Sequence, residues 1–81
     1  MSTYKITTIS TERSYTFDGR TFPIFCDLCT AEGDLMTFDT ISEAEEAARD
    51  YAKRGGFKYL PIGEVDTPAL GQTFVEIRLA A

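Results

Sequence analysis

The chain has 81 residues, 13 acids against eight bases for a net charge of −5, two cysteines, and neither histidine nor tryptophan. That length supports a single domain over 1–81 with a modest core, because a chain this short buries only about 60% of the surface its unfolded form exposes. Without histidine the commonest general base and metal ligand are missing, and the acidic balance is the reverse of the basic stripe that direct nucleic-acid binding needs. The opening Met1-Ser2-Thr3-Tyr4-Lys5 lacks the basic-then-apolar order of a signal peptide. No apolar run approaches the roughly 18 residues of a membrane span, so a cytoplasmic protein without membrane attachment is expected.

In chain order, Tyr4 to Ile9 is rich in β-branched and aromatic residues and predicts the first strand. The polar Ser10 to Ser14 reads as a connection, Tyr15-Thr16-Phe17 alternates, and Asp18-Gly19 is a two-residue hairpin signal. The return strand is expected over about 20–29, with Phe22, Ile24, Cys26 and Leu28 on one face and Pro23 marking an edge or a bulge. Ala31 to Asp34 is a turn cluster, and Leu35-Met36-Thr37-Phe38 reads as a short apolar strand.

The best-defined element follows. Ser42 and Glu45 fit a capping box, and Ala44, Ala47, Ala48, Tyr51 and Ala52 fall on one stripe of a helix predicted over 43–54. Acids lead and bases follow, which suits the helix dipole, and Gly55-Gly56 supplies a left-handed stop. Phe57 to Ile62 alternates as a strand interrupted by Pro61, 63–72 reads as a mobile loop, and Thr73 to Leu79 is the last strand. Its Val75, Ile77 and Leu79 are expected to face the helix, with Glu76 and Arg78 toward water on the side of Phe74. The fold class is therefore α+β: an antiparallel sheet of four to six strands in the order β-β-β-β-α-β-β, with the helix on one face. Phe25, Phe57, Tyr59 and Phe74 cannot all fit beneath one helix, so an aromatic open sheet face is expected.

No phosphate-binding loop, dinucleotide fingerprint, nucleophile elbow or Cys-His pairing occurs, so neither enzyme activity nor a cofactor is expected. Cys26 and Cys29 form one C-x-x-C without the further ligands a zinc site needs. Three residues apart on a strand they point to opposite faces, which predicts one buried small hydrophobe and one partly exposed thiol; a small redox or metal protein is the less favoured use of the pair. Charge is the uneven feature. Between Asp27 and Asp50 stand eight acids and one base, Arg49. Asp34, Asp39, Glu43, Glu46 and Asp50 are the candidate partner-binding residues, since a concentrated negative patch attracts basic surfaces and speeds their encounter.

A small acidic chain of a few strands and one capped Ala/Glu-rich helix, running from Phe38-Asp39-Thr40-Ile41-Ser42-Glu43-Ala44 to Gly56-Phe57-Lys58-Tyr59-Leu60, resembles the small anti-CRISPR proteins of phages. The likeness is architectural and carries no motif residue by residue. It implies a non-catalytic inhibitor that docks on a basic, DNA-holding surface of a CRISPR surveillance complex and stands in for DNA there, in the cytoplasm of the host cell. The alternative is a cytosolic adaptor or accessory protein that binds through the aromatic sheet face (Phe25, Tyr59, Phe74), with a homodimer among its forms.

Overall fold

The computed structural model describes residues 3–17, 20–64, 66 and 71–80, and side chains for all of these except 12–17 and 20–22. The elements run β1 (Tyr4–Phe17), β2 (Arg20–Asp27), α1 (Ile41–Gly55), β3 (Lys58–Leu60) and β4 (Thr73–Leu79), and the strands form one sheet in the order β2-β1-β4-β3. The α+β class stands, with three corrections. The sheet is mixed, because β3 pairs parallel to β4 while β1 pairs antiparallel with both β2 and β4. The element order is β-β-α-β-β. Finally, 35–38 is not a strand.

Each departure has a local cause. The polar stretch after Ile9 continues β1 instead of ending it: Ser10 pairs with Thr73, their hydroxyls meet at 3.0 Å, and the Thr11 N–H donates to the Gln72 carbonyl at 3.0 Å. A register shift against β2 between Ser10 and Tyr15 absorbs the irregular pattern as a bulge. The Asp18-Gly19 hairpin turn lies outside the described residues; on either side of it Phe17 pairs with Arg20. The segment 35–38 touches the sheet at two separate points, Leu35 opposite Cys29 and Phe38 opposite Tyr4. Phe38 exchanges both backbone hydrogen bonds with Tyr4 (2.8 and 2.9 Å) and so occupies the place beside Tyr4 that a longer β2 would have filled. Pro23 and Pro61 mark edges as expected, since β2 and β3 are the outer strands.

The helix begins two residues earlier than its predicted start. Thr40, extended at φ −126° and ψ 152°, is the N-cap, and its Oγ1 accepts the Glu43 N–H at 3.2 Å. Thr40-x-x-Glu43 and Ser42-x-x-Glu45 are overlapping versions of one pattern, and the anchoring of Phe38 to Tyr4 selects the earlier. Thr40→Ala is therefore expected to cost about 1 kcal/mol. Ser42→Ala, inside the first turn, is expected to stay within about 0.5 kcal/mol. Urea melts of the two variants check the assignment, and equal losses would return the cap to Ser42.

At the other end Gly56 sits at φ +69°, with the Phe57 N–H on the Ala52 carbonyl (2.8 Å) and the Gly56 N–H on the Lys53 carbonyl (3.4 Å), a Schellman closure. Gly55 is required for a different reason: a Cβ there would run into the Phe57 ring. That ring folds back against Tyr51, centroids 5.7 Å apart, completing the apolar contact such closures carry.

Two small cores lie on opposite faces of the sheet. Beneath α1, fully buried Ala48 and Ala52 meet Ile6 and Val75, with Leu28, Phe38, Phe57, Tyr59 and Ile77 around them; Ala44 is buried one turn earlier. Three alanines spaced by four bring the helix backbone close to β1 and β4. Leu79, expected beneath the helix, lies at the sheet end and is 63% exposed, and Ile24 is exposed as well. The other face holds Ile9, Leu60 and Phe74, all nearly solvent-free, and buried Thr7 and Thr11. The parallel pairing of β3 with β4 forces the chain between them back along the sheet. On this second face Lys58, whose Nζ lies beside the Phe74 ring, ion-pairs with Asp66 at 3.4 Å. Of the expected 63–72 loop, Val65 and 67–70 lie outside the described residues. None of the described helices is long and apolar enough to cross a membrane.

Candidate functional site

The helix that covers the first core carries acids on its outward side. Glu43, Glu46 and Asp50 stand at i, i+3 and i+7, the spacing of a single helical stripe, and all three are exposed. Together with half-buried Phe38 and Ala47 they line a shallow groove of about 410 Å³. Backbone hydrogen bonds to Tyr4 position Phe38 there, so the groove has an apolar floor and an acidic rim. Asp50 also takes Arg54 four residues on, at 3.0 Å in an exposed pair. Such a pair is weak and readily exchanged for an incoming cation.

The other two predicted residues are exposed but do not line this groove. Asp39 immediately precedes the N-cap. Asp34 closes the turn after β2: Thr30 donates its N–H to the Asp34 carbonyl (2.7 Å), and the Asp34 N–H reaches the Thr30 hydroxyl (3.3 Å). Asp27, counted among the clustered acids, belongs elsewhere. Its carboxylate lies on the face opposite the helix, where Lys5 Nζ and Thr7 Oγ1 each donate to it at 2.8 Å.

The hydrogen bond from Lys5, then that from Thr7, hold the Asp27 carboxyl below its ordinary value. A carboxyl lowered in the folded state adds stability that is present above the unfolded value of about 4 and is lost as pH falls through the lowered folded value. Asp27→Asn is accordingly expected to lower stability at neutral pH and to flatten the acid limb of the stability profile. Thermal melts from neutral pH to below pH 4 check this; an unchanged limb would show that the pair contributes nothing.

The far flank of the helix is different in kind. Half-buried Glu45 and exposed Arg49 border Tyr59 of β3, and the Arg49 guanidinium lies 5.4 Å from the ring centroid. Burial pushes the Tyr59 phenol above its ordinary value, the Glu45 charge adds to that, and Arg49 opposes it. Of the four aromatics, Phe25 and Phe74 lie on the sheet face away from the helix, flanking Ile9, but they do not form the expected open aromatic face. Phe57 and Tyr59 pack on the helix side, and Phe74 is buried in the second core. Phe25 alone of the four is well exposed, at 53%, beneath the Arg78 guanidinium, and Arg78 is itself ion-paired with Glu76.

Both cysteines are exposed, which corrects the expectation of one buried thiol. Among the described residues no group of three or more His, Cys, Asp or Glu side chains is placed to hold a metal ion. A second concavity, about 510 Å³, opens between the end of α1 and β2, lined by Ile24, Cys26, Tyr51 and Phe57 with the hydroxyls of Thr8, Ser10 and Thr73. It has no charged group in its lining. The Phe38 floor of the acidic groove is not legible in the sequence, because Leu35 to Phe38 has strand composition and Phe38 is placed by distant Tyr4. Comparison of the chain with protein-family models, with curated proteins and with solved structures finds no match.

Proposed function

We propose that this chain is a small protein-binding inhibitor of the anti-CRISPR kind, acting in the host cytoplasm, whose acidic helix face docks on a basic DNA-binding surface of a CRISPR surveillance complex and blocks target DNA. The observation that carries the reading is the stripe Glu43, Glu46 and Asp50 beside Phe38. Carboxylates in a row offer lysine and arginine side chains the charge that phosphates would otherwise supply, and an apolar floor adds contact area that does not depend on charge. Asp34 and Asp39 extend the same negative field from the turn and the approach to the helix. The adaptor reading is the less favoured, since of its three aromatics Tyr59 packs on the helix side and Phe74 is buried, which leaves Phe25 exposed without them.

The test is charge reversal of Glu46 and Asp50 to lysine, followed by a target-DNA retention assay on purified surveillance complexes. Wild type is expected to displace DNA and the folded double variant to lose that effect. Full inhibition by a folded double variant would refute the proposal.

A further inference from the structure

β2 is an outer strand, and among the described residues no strand pairs with its far side. Its backbone groups sort by direction. The Leu28 N–H goes to the Ile6 carbonyl of β1 (2.9 Å) and the Thr8 hydroxyl donates to the Cys26 carbonyl (3.2 Å), so the even-numbered positions turn their N–H and C=O toward β1. The odd positions Pro23, Phe25 and Asp27 turn theirs outward, where the missing N–H of Pro23 costs the β1 ladder nothing. Both faces of this edge are apolar and open: Ile24 is 38% exposed on the helix side and Phe25 53% exposed on the other. Such an edge is a template for a further strand.

We infer that the outer edge of β2 pairs antiparallel with β2 of a second copy of this chain, about a two-fold axis through Phe25. The inventory of outward backbone groups selects both partner and register. Phe25 meets its own copy and exchanges both N–H···O bonds with it, and the Asp27 N–H reaches the Pro23 carbonyl of the other copy. The bond that Pro23 cannot give in return would go to the Asp27 carbonyl, which already has the Cys29 and Cys26 sulfurs at 3.6 and 3.8 Å. Sliding the copies until Pro23 met Phe25 would instead leave the Phe25 carbonyl without a donor. The side chains agree with this register, since Ile24 falls opposite Cys26 on the helix side and the two Phe25 residues meet on the other. Charge agrees as well. Asp27, the only charged residue from Pro23 to Asp27, is held by Lys5 at 2.8 Å, and the Arg20 end of each β2 runs toward the other copy's turn, which bears Glu32 and Asp34. So short an edge makes a weak, concentration-dependent dimer. The acidic groove lies on the helix, away from this edge, so the inference stands independently of the proposed inhibition.

Sedimentation velocity over a rising concentration series, from micromolar to millimolar, tests this. Wild type is expected to pass from monomer to dimer. Phe25→Pro removes an N–H that the β1 ladder does not use, so the variant is expected to fold, by circular dichroism, and to stay monomeric over the same range. A second measurement reads the register without that variant. In a chain carrying Cys26→Ser and Cys29→Ser, Phe25→Cys is expected to cross-link to a dimer under mild copper–phenanthroline oxidation much faster than Ile62→Cys, because directly opposed Cα atoms lie about 5.5 Å apart, within disulfide reach. Ile62 is similarly exposed, at 50%, but lies outside β2. A wild type that is monomeric throughout would overturn the inference and leave the edge to a strand of another protein. Equal cross-linking from positions 25 and 62 would overturn it too, as would a folded Phe25→Pro chain that dimerises like wild type.

Discussion

Replacing Phe74 with alanine is expected to cost about 3–5 kcal/mol of folding stability, the range for truncating a buried aromatic ring. Phe74 is 2% exposed and packs with Ile9 and Leu60 on the sheet face away from the helix, with Lys58 Nζ 5.1 Å from its ring centroid. Truncation removes most of the ring from a small core and leaves the lysine without its aromatic partner. In a domain of this size each kcal/mol moves the melting temperature by about 4–8 °C, so the transition falls far or disappears. Phe25→Ala, at a half-exposed ring on the same face, is expected to change stability by about 1 kcal/mol or less. Phe74→Leu keeps much of the buried volume and is expected to fall between the two, which preserves a readable transition if the alanine variant does not fold. Equal melting of the Phe25 and Phe74 alanine variants would mean that the second core does not exist.

The helix was legible because several independent signals agree on it: alanines spaced by four, acids before bases, and a Gly-Gly stop whose two positions are needed for different physical reasons. The strands were legible in composition but not in partnership. Nothing local in Phe57 to Ile62 distinguishes a parallel from an antiparallel neighbour, and its parallel partner β4 begins only at Thr73. Leu35 to Phe38 has strand composition, yet Phe38 is captured by Tyr4, a partner more than thirty residues away that no window around it contains. The same capture moved the helix cap from Ser42 to Thr40 and gave the acidic groove its floor. Asp27 was misplaced among the clustered acids for a related reason: its sequence neighbours are acidic, but its spatial neighbours are Lys5 and Thr7.

Reversing Glu46 and Asp50 to lysine is expected to leave folding nearly intact while abolishing most of the binding to a basic partner surface. Both side chains are exposed, neither caps the helix, and the ion pair that Asp50 loses with Arg54 is open to solvent. The reversal moves the helix face four charges toward positive, so attraction to lysine and arginine becomes repulsion along the same stripe. Glu43 is left unchanged because its carboxylate lies in the first turn of the helix, where it complements the dipole, and a change there would mix folding with binding. Exchanging Glu76 with Arg78 on the opposite face conserves their ion pair and net charge and serves as the control. That variant is expected to bind like wild type.

The most direct measurement is the affinity of wild type and of the double reversal for a purified CRISPR surveillance complex, titrated from low to high salt with both proteins shown folded by circular dichroism. At about 0.1 M salt the screening length is already near 10 Å, so charge-led docking weakens steeply across such a titration. The predicted result is a wild-type affinity that falls progressively with salt, and a double reversal that binds weakly even at low salt. A wild-type affinity indifferent to salt, or a double reversal that binds and displaces DNA like wild type, would contradict the acidic helix face as the docking surface.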